Sequence, residues 1–161
     1  MLYVGIDNGL NGGIAVINRA QSVIGKWVMP VIKSKKTEYD VNRIVEILKE
    51  IKNRKNTFVM LEKAHVRPIS GKRACFMNGF GYGIMQGILS SLNMSYEIVD
   101  PKVWQKDLFE GVTSDTKTAS INFCKKKFPN IDLKATERTT KDHDGIADAI
   151  CMAVYCYRKN R

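Results

Sequence analysis

The sequence predicts one α/β domain spanning residues 1–161, with strands and helices in the order βββαβαβααα. Two patterns carry that expectation. The N-terminal residues alternate side chains with a period of two, whereas later segments repeat apolar residues at helical spacing between short unbroken apolar runs. No repeat, linker or low-complexity tract interrupts the 161 residues, a length that buries a core without disulfides or structural metal.

Leu2, Val4 and Ile6 alternate with Tyr3, Gly5 and Asp7, giving a first strand that ends in an acid. Asn8-Gly9 and Asn11-Gly12-Gly13 are expected to supply positive-φ residues for a tight reversal. Residues 13–17 and 23–29 read as two further strands of an antiparallel meander, closed by Pro30 and followed by a basic loop over 33–36. Asp40 is placed to cap a helix with Val41, Ile44, Val45, Leu48 and Ile51 at helical spacing. Thr57 to Glu62, TFVMLE, is a short apolar run ending in an acid, the pattern of a central strand covered on both faces.

A basic turn over 66–73 precedes a helix to Leu92, with a stripe through Met77, Ile84, Ile88 and Leu92. Gly79, Gly83 and Gly87 recur along another face of it. Each costs about 0.5–1 kcal/mol relative to Ala in a helix. The line therefore marks a close backbone approach, either by this chain's own sheet or by a second subunit. Residues 95–99 form the last strand, and Asp100-Pro101 starts a short helix bearing Trp104, which reads as core or as support for the sheet. Ser114 caps another helix with Ile121, Cys124 and Phe128 on its buried side, and residues 130–142 read as a polar, basic loop.

Twenty-six Lys and Arg against 16 Asp and Glu give a net charge of +10, which suits a polyanionic partner, nucleic acid before membrane. Cys75, Cys124, Cys151 and Cys156 lack CxxC spacing and read as reduced thiols, not a zinc site or disulfide frame. The N-terminus lacks a signal-peptide pattern and no apolar run approaches membrane-spanning length. The expectation is a soluble, intracellular protein, in the cytoplasm or, if viral, the host-cell cytoplasm.

From Ile146 to Tyr157, twelve residues hold one charge, Asp148. A helix apolar nearly all round packs on most sides, and a carboxylate within it needs a partner, a proton or a cation. Asp144, four residues earlier, shares its face. Alone, the segment fits either an acidic site or a capping Asp144 beside one satisfied core Asp. If the first and fourth strands are neighbours and this helix packs beside them, Asp7, Glu62, Asp144 and Asp148 converge. Four such carboxylates repel one another unless protonated or bridged by cations, and an oxygen-only set points to Mg²⁺ or Mn²⁺. Two such ions on a basic protein serve phosphodiester hydrolysis, one activating water and the other stabilising the leaving 3′ oxygen.

The runs GIDNGLNGGIAVI, FVMLEKA, GFGYGIMQGILSSL with VDPKVWQK, and HDGIADAI, in this order, resemble the RuvC family of Holliday junction resolvases in its compact phage and viral form. The resemblance covers nearly the whole chain. It implies a ribonuclease H-like fold with a mixed five-stranded sheet flanked by helices, a homodimer, and Mg²⁺-dependent paired, symmetrical nicking of four-way DNA junctions. Asp7 matches the acid after the first strand, Glu62 the acid ending the fourth, and Asp148 the last acid of the family's helix. Bacterial members place the penultimate ligand three residues before the last, which is Gly145 here. Asp144 is therefore taken as the fourth ligand and His143 as the fallback. Bacterial relatives also carry a wedging aromatic in the loop after the second acid, and the nearest here is Phe76.

Arg67, Lys72 and Arg73, with Lys33, Lys35 and Lys36, are expected to meet DNA phosphates, whereas Lys125 to Lys127 read as a solvated helix end. Three alternatives stand beside this. One is a catalytically silent or differently specific nucleic-acid-binding member of the same fold. Another is a fragment of an actin-like nucleotide-binding protein, since GIDNGLNGG also resembles a phosphate loop. The third is a metal-phosphohydrolase built on His143-Asp144, for which His65 is the one other histidine.

Overall fold

The structure, a computed structural model, describes residues 1–54, 56–65, 71–109 and 116–161. In chain order its elements are β1 (Leu2–Asp7), β2 (Gly13–Asn18), β3 (Val23–Val28), β4 (Val31–Lys33), β5 (Thr37–Tyr39), α1 (Val41–Arg54), β6 (Thr57–Glu62), α2 (Lys72–Ser91), β7 (Tyr96–Val99), α3 (Pro101–Leu108), α4 (Thr116–Lys127) and α5 (Asp144–Lys159). Five strands form a mixed sheet in the order β3-β2-β1-β6-β7. The meander β1–β2–β3 is antiparallel, while β6 lies parallel to both β1 and β7.

The period-two alternation of the strands divides the core between the two faces of this sheet. Leu2, Val4, Ile6, Ile14, Val16, Val59 and Leu61 pack with Ile44 and Leu48 of α1 and Met85 and Leu89 of α2. Tyr3, Ala15, Ile17 and Met60 pack on the other face with α5, behind which stand Trp104 of α3 and Cys124 of α4. The result is a three-layer ribonuclease H-like arrangement with α5 as the principal helix of its face. Asp40 caps α1 by accepting the Arg43 N–H at 3.0 Å, and Asp100 caps α3 by accepting the Lys102 N–H at 2.9 Å. Ser114 lies outside the described residues.

The structure refines three expectations. The basic loop is present over residues 34–36, but Lys33 belongs to a strand, because the loop joins a short antiparallel hairpin, β4–β5, with Lys33 opposite Thr37. Its strands are three residues each, too short and polar to show a period. The glycines of the 9–13 reversal do not adopt the left-handed region, and among the described non-glycine residues only Gln21 and Asn93 have positive φ. Space requires Gly12 and Gly13 instead: a Cβ on Gly12 would stand 2.1 Å from the Asp7 carbonyl oxygen and one on Gly13 2.9 Å from the Trp27 oxygen. Lastly, Gly79, Gly83 and Gly87 of α2 are exposed and meet nothing of this chain within 4 Å, so the sheet is not what approaches them. Among the described residues no helix is long and apolar enough to cross a membrane.

Candidate active site

Strand parity places two acids on one side of the sheet. Asp7 continues the Tyr3–Gly5 series of β1 and Glu62 the Phe58–Met60 series of β6, and both series face α5. Because β1 and β6 are parallel with Ile6 opposite Leu61, the two acids sit side by side at the carboxyl ends of neighbouring strands. That edge is where open α/β sheets expose ligand sites.

The helix reaches them because backbone meets backbone. A Cβ on Gly5 would stand 2.1 Å from the Ala149 carbonyl oxygen, and one on Gly13 would stand 2.9 Å from that of Gly145. Gly145 in turn lies under the 9–12 turn, where its own Cβ would come within 2.2 Å of the Asn11 oxygen. Gly145, Ala149 and Ala153, four residues apart, form the seam of α5 against the sheet. With that seam buried, Asp144 and Asp148 lie one turn apart beside it, both half-buried.

Asp7, Glu62, Asp144 and Asp148 line one cleft of about 520 Å³, together with Asn8, Tyr39, Lys63 and His65. Each carboxylate accepts a hydrogen bond that fixes it. Asp7 Oδ1 accepts the Gly9 N–H at 3.0 Å, Asp144 Oδ1 the Gly145 N–H at 3.1 Å, Glu62 Oε1 the Trp104 indole N–H at 3.1 Å, and Asp148 Oδ1 the Ser120 hydroxyl. Among the described residues no three of His, Cys, Asp and Glu are grouped tightly enough to hold an ion as placed. The chemistry of the donor set, carboxylate oxygens only, is nevertheless that of a hard divalent cation.

His143 is the N-cap of α5, where its Nδ1 accepts the Ile146 N–H at 3.2 Å, and it does not line the cleft. Burial lowers its pKa against the opposing charge of Asp144, which suits an imidazole that accepts at Nδ1. Asp144, one residue on, occupies the first turn and not the cap. Tyr39 closes the floor: its hydroxyl donates to the Asn8 carbonyl at 2.8 Å and lies 3.3 Å from that of Met77. Burial, then the charge of Asp7, push this phenol up to about 12.

Among the described residues, none of the cationic residues expected to meet DNA lines this cleft. Lys33, Lys35 and Lys36 are exposed on the β4–β5 hairpin, Lys72 and Arg73 begin α2, and Arg73 Nη2 reaches the Thr37 carbonyl of the hairpin at 3.5 Å. Arg67 lies outside the described residues. Lys125 pairs with Asp142 at 2.5 Å and Lys127 donates to Gln21 at 2.8 Å, away from the cleft. Phe76 is 67% exposed and stacks on Phe80, one turn along α2, with centroids 5.8 Å apart. The donors Trp104 and Ser120 carried no local sequence signal, since each bonds an acid tens of residues away in the chain.

The profile of the poxvirus A22 protein family matches residues 1–159. Among solved structures, RuvC of T. thermophilus in complex with a Holliday junction substrate superposes with a TM-score of 0.61 at 12% identity, over 99% of this chain and 96% of that one. A second Thermus thermophilus RuvC structure gives 0.57 at 17% identity, over 99% and 97%. At these identities the likeness establishes the fold. No curated protein matches the sequence.

Proposed function

This chain belongs to the poxvirus A22 protein family, and we propose that it is a structure-selective DNA endonuclease that resolves four-way (Holliday) junctions by paired symmetrical nicks. One observation carries the proposal: four carboxylates from three elements line a single cleft at the sheet edge of a RuvC-like fold. Asp7, Glu62, Asp144 and Asp148 would hold two Mg²⁺ ions, for which Mn²⁺ can substitute. Bound there, the cations supply an acidified water and stabilise the leaving 3′ oxygen of an in-line displacement.

The protein's own groups do the rest. The backbone N–H groups of Gly9 and Gly145 keep Asp7 and Asp144 oriented. Lys63, at the cleft immediately after Glu62, offsets charge that gathers on the phosphate. Lys33, Lys35, Lys36, Lys72 and Arg73 hold the backbone of the junction arms. A second copy docks on the exposed face of α2 through Gly79, Gly83 and Gly87, presenting two clefts to two symmetry-related strands.

With Mg²⁺ the protein should nick a synthetic four-way junction far faster than linear duplex. Asp7→Asn and Asp148→Asn should abolish nicking while junction binding in a gel-shift assay persists. Equal cutting of both substrates indicates a general nuclease, and junction binding without nicking by the wild type indicates a silent member of the fold. Undiminished cutting by both variants removes the site assignment.

A further inference from the structure

Two acids of the cleft are held by side chains from helices that contribute no acid to it. Trp104 Nε1 of α3 donates to Glu62 Oε1 at 3.1 Å, and Ser120 Oγ of α4 donates to Asp148 Oδ1. Both donors have 0% exposure. Trp104 packs edge-on against Phe109 at 5.7 Å, in surroundings where an apolar ring would satisfy packing alone. An indole N–H donates and cannot accept, so this tryptophan holds an acceptor oxygen in one direction. Ser120 stands among Ala119, Cys124 and Cys151, again an apolar pocket with one hydroxyl aimed at an acid.

We propose that Trp104 and Ser120 are positioning residues, each fixing one oxygen of Glu62 or Asp148 so that these carboxylates are preset for a divalent cation. The inference rests on the reading of the cleft as a cation site. Outer-sphere partners of this kind contribute about 10–100-fold to metal affinity. They also give α3 and α4 a role in the site, since each helix supplies a buried side-chain donor to one of its carboxylates.

Calorimetric titration of Mn²⁺ into the full chain tests this, using Trp104→Phe and Ser120→Ala with the melting temperature of each variant recorded. Both should bind Mn²⁺ about 10–100-fold more weakly. The Mg²⁺ concentration for half-maximal nicking should rise correspondingly, while junction affinity without metal stays at the wild-type value. Should Trp104→Phe not fold, Ser120→Ala, which removes a single atom, decides the matter. A folded variant with a lowered melting temperature but unchanged Mn²⁺ affinity has lost packing only, and that result overturns the inference while leaving the cation site standing. Wild-type protein that takes up no Mn²⁺ overturns both.

Discussion

A methyl group at position 145 would stand 2.2 Å from the Asn11 carbonyl oxygen and 2.6 Å from the Gly12 Cα, so no side chain fits there unless the 9–12 turn moves. That geometry accounts for an acid at 144, since the position three before Asp148 is filled by backbone. Gly145→Ala should destabilise the fold by about 3 kcal/mol, the upper range for overpacking a rigid site, as measured by denaturant titration. Gly145→Asp should be at least as damaging and should not restore nicking to an Asp144→Asn protein. Tyr39 gives a milder case. Tyr39→Phe leaves the Asn8 carbonyl without its phenol donor and should cost about 1–3 kcal/mol. Because the folded phenol is raised from 10.0 to about 12, its contribution is fully present below pH 10 and is lost as pH rises towards 12. Asp7 was legible from the period of its strand. Gly145 was not, because a glycine's need for space is set by whatever packs against it.

At the scale of elements, the β4–β5 hairpin and the start of α2 form one cationic ledge, joined by the Arg73–Thr37 contact. Lys35→Glu with Lys36→Glu should weaken junction binding uniformly across sequences. It should flatten the dependence of log K on log salt by about 0.9 for each lost phosphate contact, measurable by fluorescence anisotropy at several salt concentrations. Helix α2 offers a contrast. Gly83→Ala meets nothing within this chain and should leave a monomer unchanged or more stable by about 0.5–1 kcal/mol. Gly83→Arg should convert a dimer seen by light scattering into monomers, and an unaltered dimer would place the interface elsewhere. The glycine spacing in α2 pointed to a close backbone approach, and no described part of this chain makes it. The hairpin escaped notice because strands of three residues are too short to show a periodicity.

Across the whole molecule, the sheet and its two covering layers were legible because strands with both faces buried appear as unbroken apolar runs and helices as apolar stripes. The long-range bonds were not, since nothing local to Trp104 or Ser120 marks Glu62 or Asp148 as its partner. The docking of α5 on β1, β2 and β6 also carries a consequence in time. The strands with Asp7 and Glu62 precede α5 in the chain, and synthesis lets the earlier segments organise first. A nascent chain halted before Asp144 would therefore hold two of the four acids on a sheet face that α5 has yet to cover. On the proposed function, competence to nick would arrive in a single late step, when a helix translated after every strand closes over that face.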